Sequence, residues 1–165
     1  MKRESMPIRM LSFQSFNASG MPLPSDTECY GTYLTVADVE QVTGLRGLKQ
    51  VQFNPLHFLG SDLNFVASDG SKILSIEFSN ARHYNTYKLF VPKNMKILLQ
   101  GIGEEAFVGP DLENQMPYLL VFRQGDYAIS LTTATTGDAQ KNMLSIEQLI
   151  SIGKIISTRL AKSSS

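Results

Sequence analysis

Gly101-Ile102-Gly103-Glu104-Glu105-Ala106 has the spacing of a dinucleotide fingerprint, Gly-x-Gly-x-x-Ala. Such a loop works only where a helix follows, because the helix N-terminus holds the pyrophosphate. Here Gly109-Pro110 stops any helix within a turn, and Glu104 and Glu105 would face the phosphates. The segment is expected to be a tight turn between strands, and no cofactor is expected. Glu104, Glu105, Asp111 and Glu113 also form an acidic group that could do acid–base or metal work. Neighbouring side chains on a strand point to opposite faces, and no Asp-x-Asp or Glu-x-x-His spacing joins them. They are expected to be solvated surface.

The histidines are His57, in the apolar segment Pro55-Leu56-His57-Phe58-Leu59, and His83. Neither accompanies a recognisable nucleophile motif, since Gly-x-Ser-x-Gly is absent. Cys29 is the single cysteine, so an intramolecular disulfide is excluded. One thiol and two imidazoles cannot build a Cys/His zinc site.

Arg82, Lys88, Lys93 and Lys96 lie in the stretch between Glu77 and Glu104, which contains no acidic residue. Tyr84, Tyr87 and Phe90 interleave with them. Basic groups among rings can hold an anion or stack on a planar ligand. Arg82, His83, Tyr84, Tyr87 and Lys88 are therefore the candidate ligand-binding residues. The competing reading is an amphipathic helix whose basic face is simply solvated. Fifteen basic and fifteen acidic residues balance across the chain, which argues against nucleic-acid binding over the whole surface.

The elements that would position these residues follow from local signals. The length of 165 residues and 42% apolar content suit one domain with a real core. Residues 1–28 read as an arm or linker, broken around Pro22 and Pro24, and 29–165 as a single domain. Ile8, Met10, Leu11, Phe13 and Phe16 make the arm apolar enough to pack on the core, or on a second subunit as a homodimer contact. Thr35 and Asp38 form a capping box before Val36, Val39 and Val42, and Gly44 closes that helix. Gln50–Phe53 is a short strand. Leu63–Ala67 and Ile73–Phe78 form a hairpin across Asp69-Gly70, with Ile73 on the face opposite Leu74, Ile76 and Phe78. Asn80 to Leu89 reads as a helix capped by Ser79 or Asn80. Met95–Gln100 reads as a strand and Glu105–Val108 as a short strand or turn, ended by Gly109-Pro110. Tyr118–Phe122 and Tyr127–Thr132 form a second hairpin across Gly125-Asp126, and 133–142 is a polar loop. Ser145 and Gln148 cap a last helix whose stripe is Ile146, Leu149, Ile150, Gly153, Ile156 and Leu160. The expected fold is α+β: a single antiparallel sheet of hairpins with helices on one face, which a loosely duplicated ββα unit would build.

Leu34-Thr35-Val36-Ala37-Asp38-Val39 with Gly44, preceded by Cys29, resembles the opening segment of small bacterial lipoprotein-like domains of unknown function. The turn from Gly101 to Phe107, the hairpin from Val121 to Asp126 and the helix from Ser145 to Leu160 extend the resemblance over residues 29–160. What it implies is an antiparallel α+β binding or accessory module. The chain departs from those families in having no second cysteine. No apolar leader follows Lys2-Arg3 and no run reaches the ~18 apolar residues of a membrane span, so a soluble cytoplasmic chain is expected. The cell envelope is the alternative where a leader has been removed. The functional expectation is a non-catalytic binding or interaction domain for a protein or small molecule. The alternatives are a small enzyme pairing a histidine with a carboxylate, and a pocket for an apolar or aromatic ligand.

Overall fold

Thr35 starts a helix because its side chain accepts the Asp38 N–H at 3.2 Å while Asp38 accepts the Thr35 N–H at 2.8 Å. This is the expected capping box, and it opens α2 (Val36–Thr43). Gly44, at φ 74°, closes α2 through an N–H bond to the Glu40 carbonyl. The computed structural model describes residues 30–53, 61–112, 115–133 and 143–163. The arm 1–28, Cys29, His57 and the loop 134–142 lie outside the described residues. A short helix, α1 (Tyr30–Tyr33), precedes α2.

Seven strands follow among the described residues: β1 (Lys49–Phe53), β2 (Ser61–Val66), β3 (Lys72–Asn80), β4 (Ile97–Leu99), β5 (Glu105–Asp111), β6 (Met116–Gln124) and β7 (Tyr127–Thr133). They form one sheet in the order β1-β2-β3-β7-β6-β5-β4. Every described neighbour pair is antiparallel. The expected α+β class and single antiparallel sheet are therefore what the chain adopts. Both expected hairpin turns are present. Asp69 holds the first by accepting the Ser71 N–H at 2.9 Å, and Gly125 takes φ 56° in the second.

Two meanders, β1-β2-β3 and β4-β5-β6-β7, meet along the β3–β7 seam. One face of the sheet carries Leu63, Phe65, Ile76, Phe78, Leu120, Phe122, Ile129 and Leu131, packed with Leu34, Val39 and the last helix, α4 (Ile146–Ser163). The expectation of helices on one face holds for α1, α2 and α4. It fails for α3 (His83–Phe90), which packs through Tyr84 on Phe107, Leu119, Val121 and Ala128. Those residues alternate with the core set along their strands, so α3 covers the opposite face. The physical reason is that Tyr118–Phe122 is a continuous apolar run, and a strand apolar on both faces needs two covers. A two-fold relation between β3 and β7 would put α3 and α4 on the same face. They lie on opposite faces, so a repeated ββα unit does not describe the fold.

Bulges account for two further differences. Phe65 pairs with Leu74 but Val66 with Lys72, so Ile73 is an extra residue and joins the same core as Leu74. Gly109-Pro110 does not end β5. The register shifts between Gly109 and Asp111, which leaves Pro110 in a bulge where its missing N–H costs nothing. Strand β3 also runs on to Asn80, whose side chain accepts the Arg82 N–H at 2.9 Å just before α3.

Helix α4 begins with the expected box, Ser145 accepting from the Gln148 N–H at 3.2 Å and Gln148 from the Ser145 N–H at 2.9 Å. Its buried residues are Leu149, Ile152, Gly153, Ile156, Ser157 and Leu160. Arg159 does more than complement the helix dipole. It grips Asp38 with Nη1 to Oδ2 at 2.6 Å and Nη2 to Oδ1 at 2.9 Å, tying α4 to the start of α2. Arg159 thereby holds the Asp38 carboxyl down at about 2, and Thr35 helps. A depressed carboxylate stabilises the fold above its unfolded value and loses that contribution as pH falls through the folded value. Urea midpoints of the wild type should therefore fall steeply from pH 3.8 towards about 2. Arg159→Leu should be weaker at pH 7 but shallower across that window. Parallel acid limbs for the two proteins would remove this pair from the account.

Candidate functional site

The five sequence candidates sit on or just before α3, and the burial of Tyr84 decides where each one points. Tyr84 is buried with its ring 5.5 Å from that of Phe107, at an interplanar angle of 59°. Burial, reinforced by the charge of Glu105, pushes its hydroxyl up to about 12. Lys88 lies over the Tyr84 ring, Nζ 4.7 Å from the centroid. Lys96 reaches back from the segment before β4 to donate to the Lys88 carbonyl at 2.7 Å, 5.4 Å from the Phe107 ring centre. Tyr87 packs beside this cluster, its hydroxyl raised chiefly by burial and meeting Ser130, Glu77 and Ser79. Both tyrosine rings are thus used inward and offer no platform for stacking a base or planar ligand.

An open depression of about 380 Å3 brings Arg82 and Tyr84 together with Ala81, Asn85, Glu105 and Arg123. His83, Tyr87 and Lys88 do not line it. Arg123 already pairs with Glu104 at 2.9 Å and Glu105 at 3.3 Å. His83 is partly buried, and its Nδ1 has no hydrogen-bond partner among the described residues, so no carboxylate orients it through that nitrogen. Among the described residues no group of three potential metal ligands converges.

The two adjacent glutamates are exposed, as expected, but they have structural work; Asp111, expected on the surface with them, is instead buried at the end of β5, and Glu113 lies outside the described residues. Arg123 bridges both, and Glu104 also accepts the Gly125 N–H at 3.0 Å. The glycine turn is followed by β5 and not by a helix. Its amides are used within the fold: Gly103 N–H donates to Ser157 Oγ at 2.8 Å and Glu104 N–H to the Arg123 carbonyl at 2.8 Å. This turn locks the β6–β7 hairpin against α4.

The surface that sequence reasoning missed lies beside α3. Leu89 is 83% exposed, Leu98 72%, Ile97 55% and Met95 47%. Strand β4 is an edge of the sheet, paired on one side with β5. Leu98 stands opposite Phe107, on the α3 face, whereas Ile97 and Leu99 stand opposite Val108 and Ala106, on the α4 face. Both faces of this edge are therefore apolar. Lys88 and Lys96 meet where α3 gives way to β4, Lys96 donating to the Lys88 carbonyl, and the exposed Lys93 lies in the segment between them; none of the three forms an ion pair among the described residues. The available signal was the stretch free of acids, read as a helix face when it continues into an edge strand.

The fold and this surface together define an α+β domain with an open, apolar and basic sheet edge. No protein-family model, curated protein or solved structure matches the chain. No helix among the described residues is long and apolar enough to cross a membrane.

Proposed function

We propose that the chain is a non-catalytic interaction domain whose contact surface is the corner formed by α3 and β4. The observation behind this reading is the exposure of Leu89, Met95, Ile97 and Leu98 within ten residues, from the end of α3 into the edge strand β4. Water contact with four large apolar side chains is unfavourable, and an unpaired apolar edge invites association. The titratable groups nearby support the same reading, since Arg123 is engaged by both Glu104 and Glu105 and Tyr84 is buried. The resemblance to accessory modules points the same way.

Site-specific photo-crosslinking tests this. A benzophenone amino acid is placed at position 89 or 98 of the full chain in the cells that express it, and at the exposed α4 positions 151 and 158 as controls. The expected result is one discrete adduct from 89 and 98 that the α4 positions do not give. No adduct at 89 and 98, or the same species from all four positions, would overturn the proposal.

A further inference from the structure

We infer that the α3–β4 corner takes an extended acidic and apolar segment of another protein, added to β4 as a further strand. This rests on the corner being an interaction surface, and it names the chemistry of the partner.

The two sheet edges differ. On β1 the edge presents the exposed polar side chains Lys49 and Gln50, the usual protection against unwanted pairing. On β4 the edge is apolar on both faces. Among the described residues β4 pairs with β5 alone, so an added strand would satisfy the backbone groups of its other side, and the strand's alternating side chains would meet both apolar faces. Lys88 and Lys96 at the α3–β4 junction, with the exposed Lys93 between them in sequence, supply the charge preference, and the sequence from Phe78 to Gly103 around them has no acidic residue. Lys96 shares the α3 face with Leu98, two positions away. The matching segment therefore places an apolar residue against Leu98 and Leu89, and an acid two positions along against Lys96.

Three other occupants fit less well. A second copy would bring its own lysines to the contact. An anionic membrane would suit the lysines and leucines, but hydrocarbon cannot satisfy the open backbone groups of a sheet edge. A single-stranded nucleic acid held by base stacking would need exposed rings, and Tyr84 and Tyr87 face inward.

The probe is a fluorescein-labelled peptide, Ser-Asp-Glu-Val-Ile-Val-Glu-Asp-Ser, titrated against the full chain by anisotropy. A charge-reversed peptide carries lysine at each acid. Binding of the acidic peptide is expected, weakened by about tenfold or more on charge reversal and by Lys93→Glu or Leu89→Gln, as for a charged apolar contact. Both side chains are exposed, so these variants keep the fold. Amide exchange at Ile97 and Leu99 should slow in the complex. Equal binding of the two peptides, or unchanged exchange at both amides, overturns the inference. So does flotation of the chain with phosphatidylserine vesicles when the peptide fails to bind, or a dimer in sedimentation that Leu98→Asp dissolves. Crosslinks at 89 and 98 without peptide binding would sink this inference and leave the interaction domain standing. Loss of both would sink both.

Discussion

Gly103→Ala is expected to unfold most of the protein under conditions where Gly101→Ala leaves it folded. Both glycines have positive φ, 56° and 80°, so alanine costs each about 1–2 kcal/mol of backbone strain. Their surroundings differ. A Cβ at Gly101 meets nothing within 4 Å. A Cβ at Gly103 would collide with the Arg123 carbonyl oxygen and sit 3.1 Å from the Phe122 ring. That oxygen cannot retreat cheaply, because it accepts the Glu104 N–H at 2.8 Å and belongs to the β6–β7 hairpin. Moving the turn the other way breaks the Gly103 bond to Ser157, which in turn donates to Gln124. Adding an overpacking cost of about 1–3 kcal/mol gives a total of about 2–5 kcal/mol, a large part of a domain's stability. Urea unfolding followed by circular dichroism checks this. Equal midpoints for the two variants would show that the turn is not the tight lock described.

Leu149→Ala and Ile156→Ala should each cost about 2–5 kcal/mol, the range for emptying a packed core position. Both side chains are fully buried and lie in one cluster with Leu120, Phe122, Ile129 and Leu131. α4 cannot settle closer to fill the gap, because a Cβ at Gly153 would already press on Leu120 Cδ2 at 2.9 Å. Three controls set the scale. Ser145→Ala removes the cap on the Gln148 N–H and should cost about 1 kcal/mol. Ser151→Ala and Thr158→Ala lie on the exposed side and should be nearly silent. Wild-type midpoints for Leu149→Ala and Ile156→Ala would mean that the stripe is not packed on the sheet.

How much could be read in advance depended on how local each cause is. The caps at Thr35, Gly44 and Ser145 are set within four residues, and all three stand where the residue types place them. The hairpins at Gly70 and Gly125 are local in the same way. The bulges at Ile73 and Pro110 are not, because an extra residue is defined only by the partner strand. The Asp38–Arg159 pair joins residues 121 apart and leaves no local trace. Ile152 shows the limit of a helical stripe, since α4 buries a wider arc than the residues first assigned to it. On α3 the residue types were legible but their direction was not. The basic and aromatic residues suggested one outward site, yet burying Tyr84 turns the rings inward and leaves Leu89 in water. Whether an apolar residue is covered is a property of the whole fold, and its own neighbours in sequence do not announce it.

The β3–β7 seam also sets an order of assembly. The Ser79 hydroxyl reaches the Ala128 carbonyl 49 residues along the chain, and the Tyr33 hydroxyl reaches Ser163 across 130. Loops of that length close slowly, and contacts of high sequence separation slow folding. As the chain leaves the ribosome, the first meander is complete at Asn80, but β7, its neighbour across the seam, and its cover, α4, are the last described elements to be made. Until then Leu63, Phe65, Ile76 and Phe78 have Leu34 and Val39 of the preceding segment beside them but lack the cover of α4. The core of the first meander is therefore expected to close fully only once α4 has been made.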